Sequence, residues 1–132
     1  MRPETLLDFM GVAEHLKCNM RHSRMTDHRR ESVAEHTYRL CVFAWLVKEE
    51  FPDCDMDKVM KMCLFHDLGE ALTGDIPAFV KTDDDRKTEG DALTLLTAML
   101  PGKERQELDE LFGELEREET MEAKIVHAPD KM

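Results

Sequence analysis

No apolar run in the sequence approaches the roughly eighteen residues that a membrane-spanning helix needs, so no membrane partner is expected. The opening stretch from Met1 to Met20 lacks the basic start and following apolar segment of a secretory leader, and a cytoplasmic location is the reading. Cysteine is sparse: Cys18, Cys41, Cys54 and Cys63 are the four, and no two stand in C-x-x-C spacing. That excludes a zinc knuckle and a dithiol redox motif, and leaves reduced, mostly buried thiols. Signals for a β-hairpin, an internal repeat or a low-complexity segment are also missing. Basic charge is in deficit, with 18 Lys and Arg against 29 Asp and Glu and a formal net charge of −11. Such a chain does not condense onto polymeric nucleic acid, whose binding depends on a basic surface that releases counterions.

What is present fits one folded domain. At 132 residues, 42% apolar and 36% charged, the chain can bury a single core, and no linker divides it. The ten methionines read mainly as adaptable core filler. One local exception to the acidity stands out. From His15 to Arg30 there are five basic side chains, Lys17, Arg21, Arg24, Arg29 and Arg30, against the single acid Asp27. A basic stretch in an acidic protein points either to a small anionic ligand or to a solvated loop.

Periodicity predicts an all-α protein of about six helices. The first runs from Pro3 to Lys17, with Leu6, Met10 and Ala13 recurring at helical spacing. Cys18 to Glu31 has no period and reads as a loop or a short irregular turn carrying the basic cluster. Ser32-Val33-Ala34-Glu35 matches a capping box and starts a second helix, which carries His36, Leu40, Phe43 and Val47 on one face and stops near Phe51-Pro52. A third begins near Asp55 or Asp57, bears Val59, Met62, Cys63 and His66 on one stripe, and gives way around Gly69 to the turn Thr73-Gly74-Asp75-Ile76-Pro77. Further helices are expected from about Asp84 to Met99, around Leu108 to Leu115, and after the cap Thr120, the last with Ala123, Val126 and Asp130 on one face.

Within this frame a few residues carry chemistry. His36 alone, on a core-facing stripe, reads as a hydrogen-bonded core histidine. His66 and Asp67 together differ, because an aspartate beside a histidine at the end of an apolar helix is a buried charge that needs a partner, and a cation would supply it. Adjacent helical residues point about 100° apart, so one ion between them must draw further ligands from other helices. His36 and Asp130 are the candidates; the alternative for Asp130 is exposure at a frayed terminus.

The order His36 in ESVAEH, His66-Asp67 in CLFHDLGEALTGDIP and Asp130 in EAKIVHAPDKM resembles the HD-domain phosphohydrolases, most closely their 5′-deoxynucleotidase branch. The pair HD alone is a weak signal. HDLGE followed by TGDIP, with the EH pair ending thirty residues earlier, is a specific combination that spans nearly the whole chain. The resemblance implies a single HD-domain helical bundle over residues 1–132, lacking C-terminal helices that family members possess.

By position, the resemblance makes His36, His66, Asp67 and Asp130 the metal ligands. It puts Glu70 beside the reacting water, Arg21 against the substrate phosphate, and Asp75, Ile76, Pro77 and Ala78 along a nucleotide. Residue chemistry is compatible with these roles. Glu70 lies close to one turn beyond Asp67, so on continuous helix both face one pocket, and the Arg21 guanidinium is a planar fork suited to phosphate oxygens. Without the resemblance, Glu70 reads as an exposed helix acid and Arg21 as one more solvated charge.

Two imidazoles and two carboxylates suit Mn²⁺, Co²⁺, Fe²⁺, Ni²⁺ or Zn²⁺. HD proteins that bind two metals have extra histidines between the HD pair and the last aspartate, and residues 68–126 contain none, so one ion is implied. The expected partner is a small nucleotide, and the resemblance implies a homodimer. Two departures stand out: His22 occupies the place of a tryptophan that crowds the sugar in close deoxynucleotidases, and Pro129 adjoins the last ligand. Competing readings are hydrolysis of another small phosphate ester, and a non-catalytic helical module stabilised by a metal.

Overall fold

The computed structural model describes residues 1–24, 29–73 and 83–131, with side chains except at positions 22–24, 73, 83–86, 89, 130 and 131. Among these residues lie six α-helices, one further single helical turn and a two-stranded ribbon. The helices are α1 (Pro3–Glu14), α2 (Val33–Leu46), α3 (Met56–Phe65), α4 (Glu70–Thr73, the single turn), α5 (Asp83–Ala98), α6 (Gly102–Arg117) and α7 (Met121–His127). A 3₁₀ turn, His15–Lys17, prolongs α1, and another, Ala128–Lys131, prolongs α7.

Local chemistry sets the helix starts. At α2 the Ser32 hydroxyl accepts from the Glu35 amide at 3.1 Å, and the Glu35 carboxylate accepts from the Ser32 amide at 3.0 Å, a complete capping box. Arg29 donates to the same carboxylate and, with the cap, holds the Glu35 pKa down at about 2. Asp55 caps α3 through the Lys58 amide at 3.1 Å, and Thr120 caps α7 through the Ala123 amide at 3.2 Å. Glu122 on α7 accepts from the Asp55 amide at 3.0 Å, which fixes the start of α3 against the last helix.

The core forms where α3 lies against α2, α6 and α7. Val33, Leu40 and Ala44 of α2, Val59, Met62 and Cys63 of α3, Leu108, Leu111 and Leu115 of α6, and Ile125 and Val126 of α7 are all buried. Full burial of one such aliphatic side chain contributes about 1.5–3 kcal/mol, and truncation of the fully buried Met62 to alanine should cost about 2–5 kcal/mol. This packing fixes the N-terminal turn of α2 beside the C-terminal end of α3, the two places from which His36, His66 and Asp67 project.

The segment expected to be a loop or a short irregular turn contains strands. β1 (Met20–Arg24) and β2 (Arg30–Ser32) pair antiparallel, Met20 opposite Ser32 and Arg24 opposite Arg30, with an irregularity in register between. Backbone pairing holds the ribbon, with the Val33 amide donating to the Asn19 carbonyl at 2.8 Å, and a side chain adds to it, Arg30 Nε donating to the Arg21 carbonyl at 3.1 Å. Its strands are arginine-rich and lack the alternating apolar face by which a strand is read from sequence.

Candidate metal centre

His36 stands in the first turn of α2, and its position follows from the capping box that starts the helix one residue after Ser32. His66 is the residue at which α3 ends, its amide still bonded to the Met62 carbonyl at 2.8 Å. From there the chain winds more tightly. The amides of Leu68, Glu70, Ala71 and Leu72 each donate to the carbonyl three residues back, at 3.0–3.1 Å. The third helix, expected to give way around Gly69, already gives way to i→i+3 turns after His66, so Asp67 and Glu70 are not related by continuous α-helix. In such winding, residues three apart eclipse, which puts Asp67 and Glu70 on one side while Leu68 and Ala71, at 3% and 6% exposure, anchor the other side in the core.

His36, His66 and Asp67 each offer a ligand atom, all within 4.8 Å of one another. Asp67 Oδ2 lies 3.0 Å from His66 Nε2 and 4.0 Å from His36 Nε2, and the imidazole centroids are 5.8 Å apart at a tilt of 49°. Both rings are turned so that Nε2 faces the aspartate. His66 Nδ1 is 3.1 Å from the Cys63 carbonyl, where it can only donate, so in the neutral ring Nε2 carries the lone pair. His36 Nδ1 faces the Glu31 carboxylate at 3.6 Å.

Burial acts to raise the Asp67 pKa. The His66 contact and the charges of His66, His36 and Arg21 outweigh it and hold the carboxyl below its ordinary value of 3.8. Positive charge beside Asp67, whether carried by protonated imidazoles or by a divalent cation between the two Nε2 lone pairs of the neutral rings, keeps it ionised. Two imidazole nitrogens and a carboxylate oxygen from two helix ends therefore fit a borderline or hard transition-metal ion. Among the described residues the convergent group contains no cysteine; burial pushes the Cys63 thiol up to about 12 and raises that of Cys41.

Arg21 lies on β1 with its side chain 21% exposed, and its Nε is 3.8 Å from Glu31 Oε1. Glu70 opens α4, with Oε2 buried. That turn is held from outside: Asn19 donates to the Glu70 carbonyl, and His15 Nδ1 lies 3.4 Å from the Ala71 carbonyl. His22 is on β1, and Asp130 is in the 3₁₀ turn after α7; their side chains, and all of Asp75, Ile76, Pro77 and Ala78, lie outside the described residues. Sequence reasoning missed Glu31, Asn19 and His15. For Glu31 a signal existed, since it is the first acid after the basic stretch and directly precedes the capping serine.

The helical fold and the paired His-Asp site define an HD domain, and the sequence pattern of that family matches residues 13–132. The chain belongs to the HD domain family. It is 35% identical over 105 residues to the 5′-deoxynucleotidase HDDC2 of Homo sapiens, covering 78% of this chain and 50% of that protein. It is 32% identical to the Xenopus laevis 5′-deoxynucleotidase HDDC2 over 97% of this chain and 65% of that one. A crystal structure described as a predicted metal-dependent phosphohydrolase, from Magnetospirillum magnetotacticum, superposes with a TM-score of 0.88 at 30% identity, over 98% of this chain and 67% of that one. The chain spans about half the length of several of the curated relatives it matches. Among the described residues no helix is long and apolar enough to cross a membrane.

Proposed function

We propose that this HD domain is a metal-dependent phosphomonoesterase acting on nucleoside 5′-monophosphates, deoxyribonucleotides first among them. The observation that carries the reading is the convergence of His36, His66 and Asp67 within one ion's reach. The relatives named 5′-deoxynucleotidase support the choice of substrate. His36, His66 and Asp67, with Asp130 as fourth ligand, would hold one divalent ion of the Mn²⁺, Co²⁺, Fe²⁺, Ni²⁺ or Zn²⁺ group. When bound, such an ion supplies the charge that polarises a phosphoryl group and makes water nucleophilic near neutral pH.

The side chains perform the rest. Glu70 takes a proton from the attacking water as its oxygen bonds to phosphorus. Arg21 offsets charge on the phosphoryl oxygens while the bond to the 5′ oxygen breaks. That oxygen leaves as the nucleoside hydroxyl by taking up a proton equivalent to the one Glu70 received, which returns Glu70 to its carboxylate. By the resemblance to the deoxynucleotidase branch, His22, Asp75, Ile76, Pro77 and Ala78 would contact sugar and base. The test is phosphate release by metal-stripped protein, with each divalent ion added in turn against matched deoxy- and ribonucleoside monophosphates. Activity restored by one or more of these ions is expected. No release from any nucleotide with any ion would overturn the proposal.

A further inference from the structure

Glu31 meets two parts of the site at once. It lies at the centre of β2, side chain 12% exposed, and its Oε1 is 3.8 Å from Arg21 Nε and 3.6 Å from His36 Nδ1. The ribbon makes this possible. β1 brings Arg21 alongside β2, while Ser32, the residue after Glu31, caps the helix that carries His36. Each contact is made through the atom that leaves the useful end of its partner turned elsewhere. A carboxylate at Arg21 Nε leaves the terminal guanidinium nitrogens to form a fork toward an anion. A carboxylate 3.6 Å from His36 Nδ1, an ion-pair separation, favours by its charge a proton on Nδ1 and so the tautomer whose lone pair is on Nε2, the nitrogen that faces Asp67. For His66 the same task falls to the Cys63 carbonyl, a fixed backbone group; for His36 a side chain on a separate element performs it.

We propose that Glu31 is a positioning residue that couples the anion-binding arginine to the metal centre, orienting His36 toward the ion and Arg21 toward a phosphate. This rests on the functional reading above for Arg21, but neither arm of the test needs a nucleotide. Full-length wild type and Glu31→Gln are stripped of metal and titrated with Mn²⁺ by calorimetry. The Mn²⁺-loaded proteins are then titrated with inorganic phosphate, and both titrations are repeated in an Arg21→Ala background.

Loss of the carboxylate should weaken Mn²⁺ binding by about 10-fold or more, the range seen when a partner of a metal-binding histidine is removed. Phosphate binding should weaken as well. In the Arg21→Ala background the phosphate effect of Glu31→Gln should vanish while the Mn²⁺ effect persists, a split that general loosening of the fold would not produce. Thermal melts of the metal-free proteins serve as the folding control, and Glu31→Asp, too short to reach both partners, replaces Glu31→Gln if that variant is unfolded. Unchanged Mn²⁺ affinity in a folded variant, or a phosphate effect that survives without Arg21, would overturn the proposal. Failure of the nucleotidase reading would appear separately, as absent phosphate release with both Glu31 effects intact.

Discussion

Two polar clusters sit between helix ends in this fold, and they are built on opposite plans. At the junction of α3, α6 and α7, Glu114 accepts from Lys58 Nζ at 3.2 Å and from the Thr120 hydroxyl at 2.7 Å, while Glu122 accepts from the Asp55 amide at 3.0 Å. There each of these three carboxylate oxygens accepts from a donor supplied by the protein, and the outcome is a pinned junction. Where α2 meets the end of α3, two imidazole nitrogens and a carboxylate face one another across a common point. Three Lewis bases arranged this way gain most from a cation between them. A closed set of donors and acceptors holds helices together, whereas a convergent set of bases holds a ligand.

The sharpest way to break this comparison is to remove a base. His66→Ala or Asp67→Ala should lose metal and reduce turnover to background, with metal content read by elemental analysis. Undiminished metal in either variant would mean that the ion lies elsewhere. Glu70→Ala tests a residue assigned to the water and not to the ion. It should lower kcat by about 10²-fold or more while metal stays bound, as expected for loss of a general base. If metal disappears with activity, Glu70 belongs to the ligand set.

How far the two clusters could be read from sequence follows from the range of the contacts that make them. Ser32 with Glu35, Asp55 and Thr120 announce their helices because a cap is chemistry among residues three apart. His66-Asp67 announced itself because the charge falls at the end of an apolar stripe. Glu31 reaching Arg21, and Asn19 reaching the Glu70 carbonyl, depend on how separate elements meet, and Asn19 and Glu70 are 51 positions apart. The ribbon escaped notice because its pairing is made by backbone, and the tight winding after His66 because only hydrogen-bond spacing separates it from ordinary helix. Asp130 and the Asp75 to Ala78 turn remain expectations from the resemblance, since the described side chains do not include them.

Smaller effects sharpen the contrast from the structural side. Glu114→Ala leaves the Lys58 and Thr120 donors without that acceptor and should destabilise the fold by about 1–3 kcal/mol, the range for a lost hydrogen bond involving a charged group. Calorimetric melting should show that loss with metal affinity unchanged; a fall in metal affinity would mean that the two clusters are coupled. The least effect is expected at His22. An imidazole excludes a ribose 2′-hydroxyl less than an indole does, so the wild-type preference for deoxynucleotides should be modest. His22→Trp should raise the deoxy-to-ribo ratio of kcat/KM by an amount worth about 1 kcal/mol. An unchanged ratio would move sugar reading to another residue.

Anomalous diffraction from crystals grown with Mn²⁺ or Co²⁺ shows whether the His36, His66 and Asp67 cluster is a metal centre. One anomalous peak is expected at about 2.0–2.2 Å from a nitrogen of each histidine and an oxygen of Asp67, with none at the Glu114 junction. A peak bound to other side chains, or none at the three bases with the ion present in excess, would contradict that assignment.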